Sequence, residues 1–544
     1  MTIPEAATPA TDFPVEWDDP ADAELTWDRD DMHMPHVLAP LTIDYISVIA
    51  HGYGYSAAKF DAPLEFLGRV WNGYAYFTMR RAWQEDEAAR EAGRAALTER
   101  HRQHIREVRA YWDGRAVPEL RRIRQWFRSV RVDELPADKL AEAWNIAWRL
   151  AERGWSIHFY AITGPYQVMD DLADLYESVF PDAPPGEAVR LVQGGIDELH
   201  AVERGLERLA AHAAAEPTIA ERLVRDDRVT LADLEAEPAA GAFVVEVRRF
   251  LDEHGHLGGS FDDLAFPSWS EEPAMLLADL GRRLQHPGPS TDDRRARLAA
   301  EAEALADRMR AKLAEDPGRL ARFEELLAYA RDVGPLTEVH NYWIDRLIQS
   351  CLRGFVMRVA ARLVSTGVLG VPTDILFLRR ADVPTLVRRP ADRQAFVAER
   401  RAEHARQAMI TPPRHVGKAP AEGPSGDRFD GARFQPADDG SLRGTGASAG
   451  IVRGTARIVL GPDDFGRVEA GDIVVAPSSN PSWVPLFGIA GGLLTDTGGV
   501  LSHAAVVARE FALPAVVGLG DATTRIPEGA TVELDGTTGL VRLL

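Results

Sequence analysis

The segment with the densest chemistry runs from Gly491 to Glu510 and contains Gly498-Gly499 followed by Ser502-His503-Ala504-Ala505. Its composition predicts a strand ending at Thr495, a turn that the glycine pair permits, and a helix N-capped by Ser502. His503 then lies in the first turn of that helix, where unpaired amides and the positive dipole end favour an anion. A neutral imidazole at this position has a ring lone pair available to attack phosphorus, and a phosphoryl group on it would be held well. The same placement also suits a histidine that only hydrogen-bonds at a helix start.

The elements that must position this histidine follow from composition. Of 45 glycines, 18 lie in the last 105 residues, whereas 11 of 12 tryptophans precede them, so a domain boundary is expected near residue 440. Apolar residues spaced three and four apart predict amphipathic helices over Gln84–Arg131, Ala137–Tyr160, Glu187–Ala215, Thr291–Val333 and Thr337–Thr366. Residues 414–445 have no apolar periodicity and are rich in Gly, Pro and Asp, which predicts a linker or mobile hinge. Beyond them, short β-branched runs between glycine turns predict strands at Ile451–Leu460, Asp472–Ala476, Leu493–Thr495, Ala515–Val517, Thr531–Leu534 and Leu540–Leu543. The expected fold class is multidomain α plus α/β: a mainly helical domain over 1–413, a hinge over 414–445 and a small β/β/α domain over 446–544.

Charge and cysteine content narrow the function. The net charge of −21 opposes binding to nucleic acid or an anionic membrane. Cys351 is the single cysteine, which excludes an internal disulfide and suits a reducing, cytoplasmic setting. The absence of a long apolar run or a signal-like N-terminus argues against a membrane span or secretion.

Gly498-Gly499, Ser502-His503-Ala504-Ala505, Ala508-Arg509 and Pro514-Ala515-Val516-Val517-Gly518 together resemble the phosphohistidine swivelling domain of the phosphoenolpyruvate-utilizing enzymes. The likeness extends upstream through Gly446–Gly454 and Pro477–Phe487. It implies that His503 takes phosphate from a nucleotide site and carries it elsewhere. It also implies that Ser502, Gly498, Gly499, Thr495, Arg509 and Ser482 steady the ring or the phosphoryl group, although Ser482 reads equally as an ordinary residue at a helix start.

The chain ends 41 residues past His503, which leaves no room for the family's pyruvate-binding barrel, and no segment before residue 415 reads as an ATP-grasp domain. ATP, with Mg²⁺ or Mn²⁺, is therefore expected on a separate ATP-grasp subunit, and the acceptor is expected not to be pyruvate. The front 410 residues resemble the acceptor-binding part of rifamycin phosphotransferases, through Trp17–Trp27, His33–Leu41, Asn72–Tyr76, Phe250–Pro273 and Gly367–Leu378. The arrangement is similar to the phosphohistidine subunit of two-component aryl phosphate synthases such as phenylphosphate synthase and 4-methylphenyl phosphate synthase. This implies a dikinase-type reaction from ATP and a phenol to AMP, phosphate and an aryl phosphate. A rifamycin-type phosphotransferase component and a phosphocarrier or regulator are the alternatives.

Within that picture His256 first, and His254 second, are candidate bases for the acceptor hydroxyl, or else loop histidines bonded to backbone. His33 and His36 are candidate pocket residues, and Tyr74, Tyr76 and Trp269 are candidate aromatic walls or simply core. Relatives usually carry arginine where this chain has Leu257, which predicts an uncharged acceptor. No metal-ligand set is evident: His101 and His104 are one helical turn apart but lack a third partner.

Overall fold

The computed structural model describes residues 13–30, 33–81, 87–184, 186–226, 228–258, 263–419, 441–479 and 483–544. The spine of the large domain is the 43-residue helix Ala137–Val179, whose Leu140, Trp144, Trp148, Ala151 and Trp155 recur along one face and are buried. Trp144 and Trp148 meet Phe355 and Tyr45 from the helices Leu347–Ser365 and Pro40–Phe60 in an aromatic core. Pro40–Phe60 packs closely against the spine at Gly52, where a Cβ would lie 2.5 Å from the Trp155 carbonyl group.

Two helices expected to be continuous are interrupted by π-helical turns, at Trp112–Ala116 and at Asn341–Arg346. The second separates Leu336–His340 from Leu347–Ser365 and widens the helix where its side chains are polar and buried. Such a turn inserts a residue into the helical ladder and is common at functional sites.

The helical domain also contains a four-stranded antiparallel sheet in the order Leu64–Trp71, Tyr74–Arg81, Thr26–Arg29, His415–Gly417. The strand His415–Gly417 corrects the expected boundary at 413, because it pairs with Thr26–Asp28 and fastens the end of the domain to its beginning. At the other side of the expected hinge, Leu442–Arg443 already pairs with Leu540–Val541. Residues 420–440 of that hinge lie outside the described residues.

The C-terminal domain is an eight-stranded sheet in the order Leu442–Arg443, Leu540–Leu543, Thr531–Asp535, Ile451–Ile458, Ile473–Ala476, Gly492–Thr495, Ala515–Val517, Thr445–Ser448. The four strands from Ile451–Ile458 to Ala515–Val517 are parallel, and the others pair antiparallel. Ile473–Ala476 and Ala515–Val517 are buried throughout, as uninterrupted apolar runs in a parallel sheet should be. The helix His503–Glu510 packs Ala504, Ala505, Val507 and Ala508 against one face of this sheet.

Candidate functional site

Local sequence fixes the pose of His503 within its own domain. Gly498 has φ +111°, and a Cβ there would meet Ser502 Oγ at 2.8 Å, so the turn requires glycine. Ser502 N donates to Gly499 O at 3.0 Å, and Ser502 Oγ caps the helix by accepting from Ala505 N at 3.4 Å. Thr495 Oγ1 donates to Thr497 O at 2.7 Å. Arg509 is buried and donates to Ala447 O at 3.0 Å and Val500 O at 2.7 Å, tying the loop before His503 to the edge strand. Burial lowers its pKa to about 10. The observed bonds of Thr495 and Arg509 therefore hold the loop's backbone, whereas the sequence analysis expected both to face the phosphoryl group. Ser482 lies outside the described residues.

The helical domain closes over this histidine. His503 Nδ1 lies 2.9 Å from Glu338 Oε2, and both side chains are buried. Asn341 Nδ2 donates to the same carboxylate oxygen at 2.9 Å from the first position of the π-helical turn. A carboxylate can only accept, so Nδ1 carries the hydrogen, and in the neutral form of the ring the lone pair lies on Nε2. The Tyr166 hydroxyl, buried and near the Glu338 and Asp345 carboxylates, has its pKa pushed up by burial and by those charges.

A second set of contacts seats the small domain. Glu510, at the far end of the histidine's helix, accepts from Gly194 N at 2.7 Å and pairs with His200 Nε2 at 3.1 Å. The Arg294 guanidinium lies 4.6 Å from the centroid of the Phe511 ring, and Leu501 joins the core of the helical domain. The structure thus holds His503 inserted into the large domain.

The other expected site residues are distributed differently. His254 Nδ1 lies 2.9 Å from the Tyr342 hydroxyl, and the His256 ring is 4.5 Å from the Tyr342 ring. Both histidines line a cavity of about 300 Å³ with Arg121, Arg124, Glu198 and Trp343, and neither is among the partners of His503. Burial holds His256 well below the ordinary histidine range, with Arg124 and His254 adding to the effect. Leu257 is packed in an apolar cluster with Phe250 and Trp269, while Arg121 and Arg124 supply cations from another helix. Leu257 therefore gives no measure of the cavity's charge, which corrects the expectation built on it.

His36 Nε2 is held 2.8 Å from Asp263 Oδ2, and His33 Nδ1 lies 3.1 Å from Asp30 Oδ1. Tyr74 and Tyr76 are core rather than pocket wall: both are buried in a satellite cluster, and their hydroxyls donate to Ile410 O and Pro413 O. Trp269 is likewise core, 3% exposed, with its amide donating to Leu257 O at 2.7 Å. The sequence analysis missed Glu338 and Asn341. The available signal was the run Thr337–Arg346, which places Glu, His, Asn and Asp in an otherwise apolar helix.

Comparison with known proteins divides along the same seam. Residues 468–539 match the mobile domain of PEP-utilising enzymes, and residues 163–338 match the fourth domain of rifampicin phosphotransferase. The chain is 29% identical to chondramide synthase of Chondromyces crocatus over 98% of its own length and 14% of that protein's. It is 24% identical to the uncharacterized phosphotransferase YvkC of Bacillus subtilis, covering 71% of this chain and 47% of that one. With the rifampicin phosphotransferase of Streptomyces sviceus the identity is 30%, over 55% of this chain and 34% of that one. The chain thus spans less than half the length of each of these three relatives. A solution structure of Enzyme I aligns with 45% of this chain and 65% of that one at 19% identity, with a TM-score of 0.14, too low to carry an argument. Among the described residues, no helix is long and apolar enough to cross a membrane. The histidine-bearing domain is thus similar to the mobile domain of PEP-utilising enzymes, and part of the helical domain that receives it to the fourth domain of rifampicin phosphotransferase.

Proposed function

We propose that this chain carries a phosphoryl group on His503 Nε2 and delivers it to a hydroxyl acceptor bound in its helical domain. The observation that carries this reading is the bond from His503 Nδ1 to Glu338, made across the two domains. It selects the tautomer whose Nε2 is nucleophilic, and it would stabilise the ring as phosphate is gained and lost. Carrier and receiving surface fall in segments similar to two parts of phosphotransferases.

In the full reaction ATP, water and the acceptor give AMP, phosphate and the phosphorylated acceptor. ATP is bound with Mg²⁺ or Mn²⁺ on a separate ATP-grasp subunit, and no residue of this chain is assigned to that metal. His503 first takes a pyrophosphoryl group, which loses phosphate to water and leaves phospho-His503. The acceptor oxygen then bonds to phosphorus as the bond to Nε2 breaks, and the acceptor's proton passes to a base, for which His256 and then His254 are the candidates. Burial, with Arg124 and His254, holds the His256 pKa well below the ordinary histidine range, which leaves the ring neutral but makes it a weak base.

A small phenol is the proposed acceptor. The cavity beside Tyr342 and Trp343 measures about 300 Å³, at the small end of ligand sites and suited to a single aromatic ring. A rifamycin-type acceptor is the second reading, favoured by the match of residues 163–338. The deciding experiment supplies the chain with an ATP-grasp partner, β-labelled ATP and a panel of phenols, sugars, pyruvate and rifamycins. Acid-labile label should appear on the wild type and not on His503→Ala, and should move to a phenol first. Label on the His503→Ala protein would overturn the carrier assignment. Preferred turnover of a rifamycin or pyruvate would overturn the acceptor class alone.

A further inference from the structure

Behind Glu338 lies a second cluster that phosphoryl carriage on His503 does not use. His158 comes from the spine helix Ala137–Val179, His340 ends the short helix Leu336–His340, and Asp345 lies in the π-helical turn Asn341–Arg346. All three are at most 6% exposed. One ligand atom from each can be chosen so that all lie within 4.8 Å of one another. His158 Nε2 is 3.3 Å from Asp345 Oδ1, and His340 Nε2 is 3.9 Å from Asp345 Oδ2. The two imidazole rings stand nearly perpendicular with centroids 4.4 Å apart.

Two features distinguish this group from an ordinary buried ion pair. His340 Nδ1 lies 2.8 Å from Leu336 O, so it donates there and leaves its lone pair on Nε2, facing Asp345. A backbone carbonyl orienting the far ring nitrogen is the usual second shell of a metal-bound histidine. The π-helical turn brings positions 340 and 345 to one side of the helix, at the cost of a regular ladder.

We propose that His158, His340 and Asp345 bind one divalent transition-metal ion, with Zn²⁺ the first candidate, and leave at least one coordination position open. Two imidazoles and one carboxylate suit Zn²⁺, Mn²⁺ or Fe²⁺ better than the all-oxygen preference of Mg²⁺ or Ca²⁺. Zinc–ligand distances of about 2.0–2.2 Å place neighbouring tetrahedral ligands about 3.3–3.5 Å apart. The His158–Asp345 separation already meets that spacing, and His340, 3.9 Å from Asp345 Oδ2, has to draw inward to reach it. In the ion's absence Asp345 Oδ1 stands 3.3 Å from His158 Nε2 and has no hydrogen-bond partner among the described residues. Metal binding does not depend on the transfer reaction proposed above.

The test uses the full-length chain without ATP, partner or acceptor. After chelation and dialysis, the wild type should take up one equivalent of Zn²⁺ in a competition titration with a chromophoric indicator. Co²⁺ should give visible absorption bands of a four- or five-coordinate site, which Zn²⁺ then abolishes. His340→Gln and Asp345→Asn should each weaken Zn²⁺ binding at least 100-fold, whereas the surface variant His212→Gln should bind as the wild type does. The Co²⁺ spectrum requires no substitution, so the proposal stays open to refutation even if a buried variant fails to fold. A wild type that takes up no stoichiometric Zn²⁺, Mn²⁺ or Fe²⁺, or whose uptake is equal in Asp345→Asn, would overturn it. Loss of phosphoryl transfer with metal binding intact would count against the proposed function and not against this site.

Discussion

Glu338 and His503 are 165 residues apart in the chain and 2.9 Å apart in the fold. The bond joins the last residue of one family match to a residue within the other. Because Glu338 belongs to the helical domain, its carboxylate acts on the imidazole only while the mobile domain is seated there. Glu338→Gln should therefore leave the charging of His503 by the donor unchanged and slow the passage of phosphate to the acceptor. Loss of a tautomer-fixing carboxylate argues for a decrease on the order of 10²-fold or more. Rapid-quench measurement of the two half-reactions separates them, and an equal effect on both would refute a role confined to the seated state.

The docked arrangement has a second anchor in Glu510. Its carboxylate accepts from the Gly194 amide and lies 3.1 Å from His200 Nε2, so truncation strands the buried Gly194 amide. Glu510→Ala should weaken seating of the mobile domain by about 1–3 kcal/mol. Hydrogen exchange at the Gly194 amide would then accelerate roughly tenfold or more, while amides of the Ala137–Val179 spine exchange as before. Unchanged protection at Gly194 would mean that the apolar contacts of Leu501 and Val500 hold the domain alone.

The legibility of this site followed the range of its interactions. His503, Ser502 and Gly498 are neighbours in sequence, and turn, cap and helix start all have local signatures, so that part was readable in full. Six of the eight strands of the mobile domain were readable for the same reason, as short β-branched runs between glycines, whereas Leu442–Arg443 and Thr445–Ser448 were not. Glu338 was not, because a glutamate in a helix reads as solvated until the fold brings a second domain onto it. The π-helical turns escaped because one inserted residue hardly alters an apolar period read over thirty residues. Tyr74 and Tyr76 were open between pocket and core, and their fixed partners, Ile410 O and Pro413 O, lie more than 330 residues away. The three-residue strand at 415–417 has no alternation long enough to register, and its pairing with the N-terminal strand is again non-local.

Gly498 supports a prediction about the loop itself. Ala at this position must adopt φ near +111° and would press its Cβ to 2.8 Å from Ser502 Oγ, the atom that caps the histidine's helix. Gly498→Ala should destabilise the mobile domain by about 1–3 kcal/mol, and Ser502→Ala by about 1 kcal/mol. The double variant should fall short of the sum, since the first substitution already displaces the cap. Chemical denaturation of the four proteins measures this coupling, and strict additivity would show that the turn and the cap are independent.

Asp496 gives the mobile domain a dependence on pH with a definite sign. It follows the strand Gly492–Thr495, and its carboxylate accepts from Thr523 N at 2.9 Å and from the Thr523 hydroxyl. Burial, helped by the Asp521 charge, raises its pKa from 3.8 to about 6, although the Thr523 bonds oppose the shift. Between those two values the folded domain keeps a proton that the unfolded chain has released. The contribution of Asp496 to stability therefore falls as pH rises from about 4 to about 6, and it stays low above that window. Asn at this position can keep an acceptor for Thr523 N and carries no charge to desolvate. Asp496→Asn should then be more stable than the wild type at about pH 8, by about 1–2 kcal/mol after allowance for partial solvent screening. Near pH 4 the two proteins should approach one another, because Asp496 is there largely protonated in the folded state. Urea denaturation at the two pH values, followed by hydrogen exchange of amides in the mobile-domain strands Ile473–Ala476 and Ala515–Val517, measures both differences. A variant whose advantage is the same at both pH values would show that the carboxylate's charge is not what burdens this loop.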